Sequence, residues 1–563
     1  MKVCGIKLTH DGAVALIEDG RLVFSIEMEK LNNNPRFTGI EDTELVSQVL
    51  REEGYNLDEI DYFAIDGWGG YDQDALAIQP RLDIGENNNR IHVEYNKEPY
   101  KLDVSAYHER TLQDKLLECQ EFTGLKMEGK EYGYESYMHL AGHLMGAYHT
   151  SPFANKLENS YVLIWDGGTF PRLYFYDAKK NQVENLGPLF LLIGNIYSIF
   201  AQHFGPFKVS DVFAKDSLSV AGKVMAYIAL GENKKELYPL FDEIYNQHYQ
   251  APMGFANKFA QEFKKAIKEK DYRDEDILAT FHFYMEELLI KKLSQKIKRF
   301  PRDTQNLCIA GGCGLNIKWN SAIRDAPIVK NVYVPPFPND SGSAIGVAIC
   351  SYHRHTGKPI DWNVYCGPNV KKSNALEGWS SKGCSVRELA ELLYKEKEAV
   401  VVLHDRAEVG PRALGNRSII ASPDLPEMKK TLNEIKKREY YRPVSPICLE
   451  HRACEIFEPG TKDPYMLFDH RVREEWLNKI PAVIHLDTTA RLQTVNEEQN
   501  PMIAELLTHF EMLSGIPLLC NTSANYNSKG FFPDAKSAME WGGTRYVWSE
   551  GILYIKEGEK DER

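Results

Sequence analysis

One pattern in this chain of 563 residues limits its fold more than any other, because it occurs twice. The opening reads as short apolar runs broken by turns: Val3-Cys-Gly-Ile-Lys, the turn Thr9-His-Asp-Gly12, Val14-Ala-Leu-Ile, the turn Glu18-Asp-Gly-Arg21, then Leu22-Val-Phe-Ser-Ile. Runs of this length and content, bounded by Gly and Asp, predict strands joined by tight turns. The order returns at Tyr161-Val-Leu-Ile-Trp, Asp166-Gly-Gly-Thr169, Leu173-Tyr-Phe-Tyr and Asp177-Ala-Lys-Lys180. Two copies of strand, Asp-Gly turn, strand predict a duplicated fold. A third piece, Cys308-Ile-Ala-Gly-Gly-Cys-Gly-Leu-Asn316, runs from an apolar strand through glycines into a helix. Such glycines let a backbone approach a ligand and a helix N-terminus favours an anion, although a tight turn uses glycine for its geometry alone.

The composition changes between Ser351 and Cys384, where Gly357-Lys-Pro359, Gly367-Pro368 and Ser380-Ser-Lys-Gly383 predict a connection between domains. The expected division is 1–355, a linker at 356–384, and 385–563. Beyond the linker, Val386-Arg-Glu-Leu-Ala-Glu-Leu-Leu-Tyr has the spacing of an amphipathic helix and Val400-Val-Val-Leu that of a buried strand. This part holds a strong local reversal of charge. Arg412, Arg417, Lys429, Lys430, Lys436, Lys437, Arg438 and Arg442 crowd one stretch of a protein whose formal net charge is −13. Arg forks match phosphate and carboxylate oxygens and Lys adds point charge, so the stretch reads as a site for a small polyanion; a solvated helix face is the other reading of such a run. Arg491 follows the strand-like Ile484-His-Leu-Asp-Thr-Thr, and Asn521 and Ser523 follow the apolar Ile516-Pro-Leu-Leu-Cys. Strand ends are a usual place for ligand contacts in α/β sheets, and a capping turn is the alternative for Asn521-Thr-Ser523.

His139-Leu-Ala-Gly-His143 places two imidazoles at i and i+4, on one face of a helix, where they can chelate a metal or simply pack in a buried face. A metalloprotease needs a glutamate after the first histidine, and position 140 is leucine. Ten cysteines without a Cys-x-x-Cys pair predict buried free thiols in a reducing cytoplasm. The opening residues form a strand with no basic and apolar leader, and no apolar run reaches membrane length, so neither secretion nor a membrane is expected. A pI near 5.7 argues against a nucleic-acid surface.

Gly410-Pro-Arg-Ala-Leu-Gly-Asn-Arg417, Thr431 through Pro443, Asp487-Thr-Thr-Ala-Arg491-Leu-Gln493-Thr-Val and Asn521-Thr-Ser523 together resemble the ATP-dependent O-carbamoyltransferases of natural-product and antibiotic biosynthesis. That family includes tobramycin, cephem and nodulation-factor enzymes, and the resemblance runs from Lys2 to Lys556. It implies an α/β protein with a duplicated, actin/sugar-kinase-like N-terminal domain and a YrdC-like C-terminal domain. The implied substrates are carbamoyl phosphate, ATP with Mg, and a hydroxylated small molecule, with carbamoyl adenylate made in the C-terminal domain. Arg412, Arg417, Lys436, Arg442, Arg491, Asn521 and Ser523 match the family's binding residues for carbamoyl phosphate and ATP, Lys436 and Arg442 among the catalytic ones. In the N-terminal domain the resemblance puts His10 and Asp11 beside the transferred carbamoyl group. It gives Asp166, Gly167, Gly311, Gly312 and Asn316 to a nucleotide. It joins His139 and His143 with Asp340, from the turn Pro336-Phe-Pro-Asn-Asp340-Ser-Gly342, in a metal site for which iron(II) is the implied ion; Asp340 serves equally as a helix N-cap. Gly222-Lys223-Val-Met225 matches a family step that Ala226-Tyr-Ile-Ala then leaves. Lys7-Leu-Thr-His-Asp-Gly-Ala and Glu27-Met-Glu-Lys resemble the hydroxymethylcephem branch most. A homodimer is compatible with the resemblance. A threonylcarbamoyl-type transferase acting on tRNA, or a non-catalytic nucleotide-dependent regulator, are the alternatives; the acidic charge disfavours the first and the two sets of phosphate-type motifs the second.

Overall fold

The repeated strand–turn–strand pattern builds two sheets with one shared order. In the computed structural model, which describes residues 1–68, 89–105, 115–209, 217–248, 252–526 and 529–557, the first sheet runs Arg21–Glu27, Ala13–Glu18, Lys2–Lys7, Tyr62–Asp66, Lys130–Tyr137, Cys119–Met127. The second runs Gln182–Pro188, Arg172–Asp177, Ser160–Ile164, Asn306–Ala310, Asn331–Tyr333. In each, the first strand of the copy pairs antiparallel with the second and parallel with the next strand inward. Parallel strands covered on both faces need near-continuous apolar sequence, and Val3, Cys4, Ile6, Ala64, Ile65, Val162 and Leu307 are buried accordingly. The duplication expected from the two Asp-Gly turns is thus present in the strand order.

Two helices, His139–His149 and Ser343–Thr356, pack against each other, and the second also lies on Lys2–Lys7, Ala13–Glu18 and Tyr62–Asp66. Their approach depends on absent side chains. A Cβ on Gly346 would stand 2.6 Å from the carbonyl carbon of Gly142 and 2.8 Å from its Cα, and one on Gly5 would stand 2.8 Å from the Ala348 Cβ. Backbone cannot yield as a flexible side chain can. We expect Gly346→Val to force the helices apart at a cost of about 3 kcal/mol, at the upper end for overpacking. The check is a denaturant midpoint, which should fall.

The chain divides into two compact units, Met1–Val23 with Gly39–Trp362, and Phe24–Thr38 with Asn363–Arg563. The second unit starts earlier than the expected 385 and takes in a separate piece near the N-terminus. The stretch read as a linker contributes strand Trp379–Gly383, paired along its length with Ile552–Lys556, and residues 24–38 belong here although they follow the first hairpin of the other unit. Contiguous reading misses this, because nothing in Leu22-Val-Phe-Ser-Ile marks where one unit's packing gives way to the other's. The unit's eight-stranded sheet runs Trp379–Gly383, Ile552–Lys556, Tyr546–Ser549, Val400–Leu403, Arg417–Ala421, Leu518–Ser523, Ser445–Leu449, Gln493–Val495. Helix Val386–Glu396 begins on a capping box, Ser385 with Glu388, and buries Leu389, Ala390 and Leu393 with Leu506 and Phe510 of helix Pro501–Ser514. All ten cysteines are free and seven are buried. Among the described residues no helix is long and apolar enough to cross a membrane.

Candidate active sites

The first unit gathers His139, His143, Asp166 and Asp340, all buried, with one ligand atom of each within 4.8 Å of the others. Helix His139–His149 supplies the imidazoles one turn apart, the end of the second sheet's first strand supplies Asp166, and a short turn before helix Ser343–Thr356 supplies Asp340. His139 Nδ1 lies 3.0 Å from both oxygens of Asp66. A carboxylate only accepts, so that nitrogen carries a proton. Burial opposes a second proton at Nε2, but Asp66 and Asp340 favour it and raise the imidazolium to about 10, so a cation gains the Nε2 lone pair by displacing that proton. His139 Nε2 meets His143 Nε2 at 3.0 Å and Asp340 Oδ1 at 3.2 Å, and His143 Nε2 is 3.4 Å from the same oxygen. Acceptor atoms converging in a buried space fit a cation, and two imidazoles with carboxylates suit a divalent ion of the first transition row. The backing of His139 by Asp66 is the usual carboxylate support of a histidine ligand.

Burial works to raise the Asp340 carboxyl, but the charge of Lys7, joined in the metal-free protein by those of protonated His139 and His10, outweighs it and holds the carboxyl well below the ordinary range. Lys7 Nζ is fully buried, 2.8 Å from Asp66 Oδ2 and 3.1 Å from Asp340 Oδ2. His10 Nδ1 bonds Asp11 Oδ2 at 2.9 Å, and its Nε2 lies 3.5 Å from Asp340 Oδ2. Asp11 has a left-handed backbone, φ 56°, in a turn where Gly12 admits Gly39 closely. His10 therefore borders the cage.

Of the residues expected to hold a nucleotide, Asp166 belongs to the cage and accepts a hydrogen bond from the Gly312 N–H at 2.8 Å. Gly311, at φ 86°, has no room for a Cβ against the Trp165 carbonyl carbon at 2.5 Å, and Gly167 would meet Asn195 at 2.8 Å. Asn316 caps helix Ile317–Asp325 by accepting from the Trp319 N–H at 3.2 Å, the ordinary capping role. Lys223 sits half-buried on helix Ser217–Tyr227.

The second unit gathers cations. Burial, with Arg36 and Arg442 adding to it, pulls the Arg412 guanidinium down to about 10. Burial with Arg442 and Arg36 pulls Arg438 to about 9, and burial with Arg412, Arg438 and Arg442 holds Arg491 well below its ordinary value. Arg491 Nε donates to Ser445 Oγ at 2.9 Å, and Arg438 donates to Thr522 Oγ1 at 3.0 Å and Ser523 Oγ at 3.3 Å. Asp463 is the carboxylate that opposes this charge on both Arg412 and Arg491. Guanidiniums desolvated against one another destabilise the unliganded protein, and a polyanion relieves them.

Not every expected binder faces this cluster. Arg417, 1 % exposed, donates through its two terminal nitrogens to the carbonyls of His404, Asn416, Pro368 and Asp405. It holds its loop together, and its place in the basic run gave no sign of that. Lys436 donates to the Ser523 carbonyl at 2.7 Å and to both oxygens of Asn525, so it clamps the strand end that bears Asn521 and Ser523. Asn521 donates to the carbonyl of Ala413 at 3.0 Å and to Gln493 Oε1 at 2.9 Å, tying that strand to the Arg412 loop. From the other side Lys30 Nζ donates to the carbonyls of Glu408 at 2.6 Å and Gly410 at 2.8 Å, and Glu27 accepts from the Gly410 N–H at 2.6 Å. Lys7, Asp66, Arg36 and Asp463 were missed from sequence. Lys7 and Asp66 carried one signal, a charged residue ending an apolar strand in Val3-Cys-Gly-Ile-Lys7 and in Phe63-Ala-Ile-Asp66.

Residues 2–349 match the family described as Carbamoyltransferase N-terminus, and residues 390–547 the one described as Carbamoyltransferase C-terminus. Nodulation protein U of Rhizobium tropici is 46% identical over 99% of this chain and 96% of its own length. The 3'-hydroxymethylcephem-O-carbamoyltransferases of Amycolatopsis lactamdurans and Streptomyces clavuligerus are 32% and 31% identical, covering 94% and 96% of this chain and the same shares of their own. Whole-length identity thus favours the nodulation proteins over the cephem branch that the opening residues resembled.

Proposed function

The chain belongs to the carbamoyltransferase family, and from that premise we propose that it moves a carbamoyl group from carbamoyl phosphate to a hydroxyl of a small molecule by way of carbamoyl adenylate. The observation that carries this reading is the contrast between the sites: the second unit's is built of half-buried guanidiniums close enough to repel one another, the first's of imidazoles and carboxylates. A guanidinium cluster suits phosphates, whose charge it stabilises as it develops. There carbamoyl phosphate and water give carbamate and phosphate, and carbamate attacks the α-phosphorus of ATP, with Mg, to release pyrophosphate. Carbamate decomposes in water, which is a reason to make and use it in an enclosed site.

The first unit then transfers the group: the acceptor oxygen attacks the carbamoyl carbon, AMP leaves, and the product is a carbamate ester. His139, His143, Asp166 and Asp340 would hold the metal, for which iron(II) suits the donor set. A divalent ion bound there supplies Lewis acidity toward a carbonyl or phosphoryl oxygen. His10, oriented through Nδ1 by Asp11, takes the acceptor proton at Nε2. The actin/sugar-kinase-like and YrdC-like folds are the frames we assign to the two units, on the 3-2-1-4 order shared by the first unit's two sheets, each followed by one more parallel strand, and on the mixed sheet of the second. Ten free thiols support a cytoplasmic location. In the test, the full chain meets carbamoyl phosphate, Mg-ATP and a panel of hydroxylated natural products of the nodulation-factor and cephem types, read by a mass gain of one carbamoyl group. The gain should require both carbamoyl phosphate and ATP; carbamoylation without ATP would overturn the adenylate route.

A further inference from the structure

The cage contains a group that no metal site needs for ligation: a lysine with no exposure at all. Lys7 ends the central strand Lys2–Lys7, and its ammonium bridges two carboxylates with different duties. Asp66 backs His139. Asp340 splits its two oxygens. Its Oδ1 faces the Nε2 atoms of His139 and His143 at 3.2 and 3.4 Å, whereas its Oδ2 is drawn to Lys7 at 3.1 Å and His10 at 3.5 Å. We propose that Lys7 is a positioning residue that sets the metal's coordination: it holds Asp340 to one ligating oxygen, keeps a coordination position open for substrate, and limits the negative charge of the cage.

The geometry and the charge point the same way. A carboxylate beside a metal binds through one oxygen or both, and a fixed cation on the second oxygen decides the matter. Asp66, Asp166 and Asp340 against the ammonium of Lys7 leave two net negative charges around neutral imidazoles, which balances a divalent ion. Asp11 and His10 form their own pair at the border. Without Lys7 the cage is more negative and Asp340 is free to chelate. The sign of the effect follows: loss of Lys7 should tighten metal binding while closing the position that catalysis uses.

The inference rests on the metal reading above, and the test separates the two. Metal-depleted full-length protein is titrated with Zn²⁺ against a chromophoric chelator, and its Co²⁺ form is followed by visible absorption, which reads coordination number. If the parent protein binds neither ion, the metal reading itself fails. If it binds, Lys7→Met should lower the Zn²⁺ Kd about tenfold or more, weaken the Co²⁺ bands as coordination rises, and lose acceptor carbamoylation. A scaffold role for Lys7 predicts the opposite, weaker binding. Because a lone buried carboxylate can endanger folding, the double variant Lys7→Met/Asp66→Asn removes one charge of each sign. It should bind Zn²⁺ less tightly than the single variant, because Asp66 also supports His139, and still show the altered Co²⁺ spectrum. A parent-like Co²⁺ spectrum in the double variant, or weaker Zn²⁺ binding by the folded single variant, overturns the proposal.

Discussion

Replacing Arg491 with Met is expected to stop the proposed pyrophosphate release from ATP and carbamoyl phosphate and to leave the fold as stable as before, or more so. Both halves follow from one arrangement. Arg491 is half-buried beside Arg412, Arg438 and Arg442, and desolvation and those neighbours together hold its guanidinium well below the ordinary value. In the unliganded protein that crowding is a cost, and an apolar side chain of similar length removes it, which we expect to stabilise by about 1 kcal/mol. With phosphates bound, the same charges become the stabilising groups. Loss of one donor aimed at developing charge should lower turnover by about 10³-fold. The contrast with Lys436 sharpens the point. Lys436 spends its ammonium on Ser523 and Asn525, so Lys436→Ala should lose both stability and activity. The checks are a coupled pyrophosphate assay and a denaturant midpoint for each variant. Near-parent pyrophosphate release in Arg491→Met would remove the second unit from the phosphate chemistry.

His143→Ala has the second large effect, and it falls on the other half of the reaction. His143 gives its Nε2 to the space shared with His139 and Asp340, while His139 is also tied to Asp66. Removing His143 therefore takes away a ligand and leaves the support of the helix intact. We expect the variant to lose its bound divalent metal, and acceptor carbamoylation to fall about 10³-fold, with pyrophosphate release within about twofold of the parent. Metal analysis per chain and the two assays on one preparation decide it. Full metal occupancy, or equal losses in both assays, would contradict the division of labour between the units.

The duplicated fold was legible because Asp-Gly turns between short apolar runs leave few alternatives, and the helix at 386 because its period and cap agree. The His139/His143 pair was legible from its spacing, since i and i+4 share a helix face. What remained hidden was long-range. Asp66 and Lys7 meet the cage only because parallel pairing sets Tyr62–Asp66 beside Lys2–Lys7, and no local pattern announces that register. Asp166 was expected at a nucleotide, and no local pattern announced that its strand also brings it beside His139, His143 and Asp340. Arg417 and Arg412 are five residues apart in one basic run. One is satisfied by carbonyls and the other stands among guanidiniums. Charge density along the chain cannot separate them, because it does not say which nitrogen meets which oxygen. The unit boundary failed for a similar reason: Lys30 and Glu27 act on the loop at 408–410, nearly four hundred residues away. A fragment starting at residue 385 would lack this brace and Arg36, so tests of the second unit belong in the full chain.

On the proposed route, carbamoyl adenylate is the species that joins the two sites. Full-length His143→Ala, incubated with Mg-ATP and carbamoyl phosphate but no acceptor, quenched and examined by mass spectrometry for small molecules, should hold carbamoyl adenylate in an amount comparable to enzyme, with matching pyrophosphate, and the signal should vanish in His143→Ala/Arg491→Met. Turnover of ATP to ADP and phosphate with no adenylate in either protein would contradict the account at its centre.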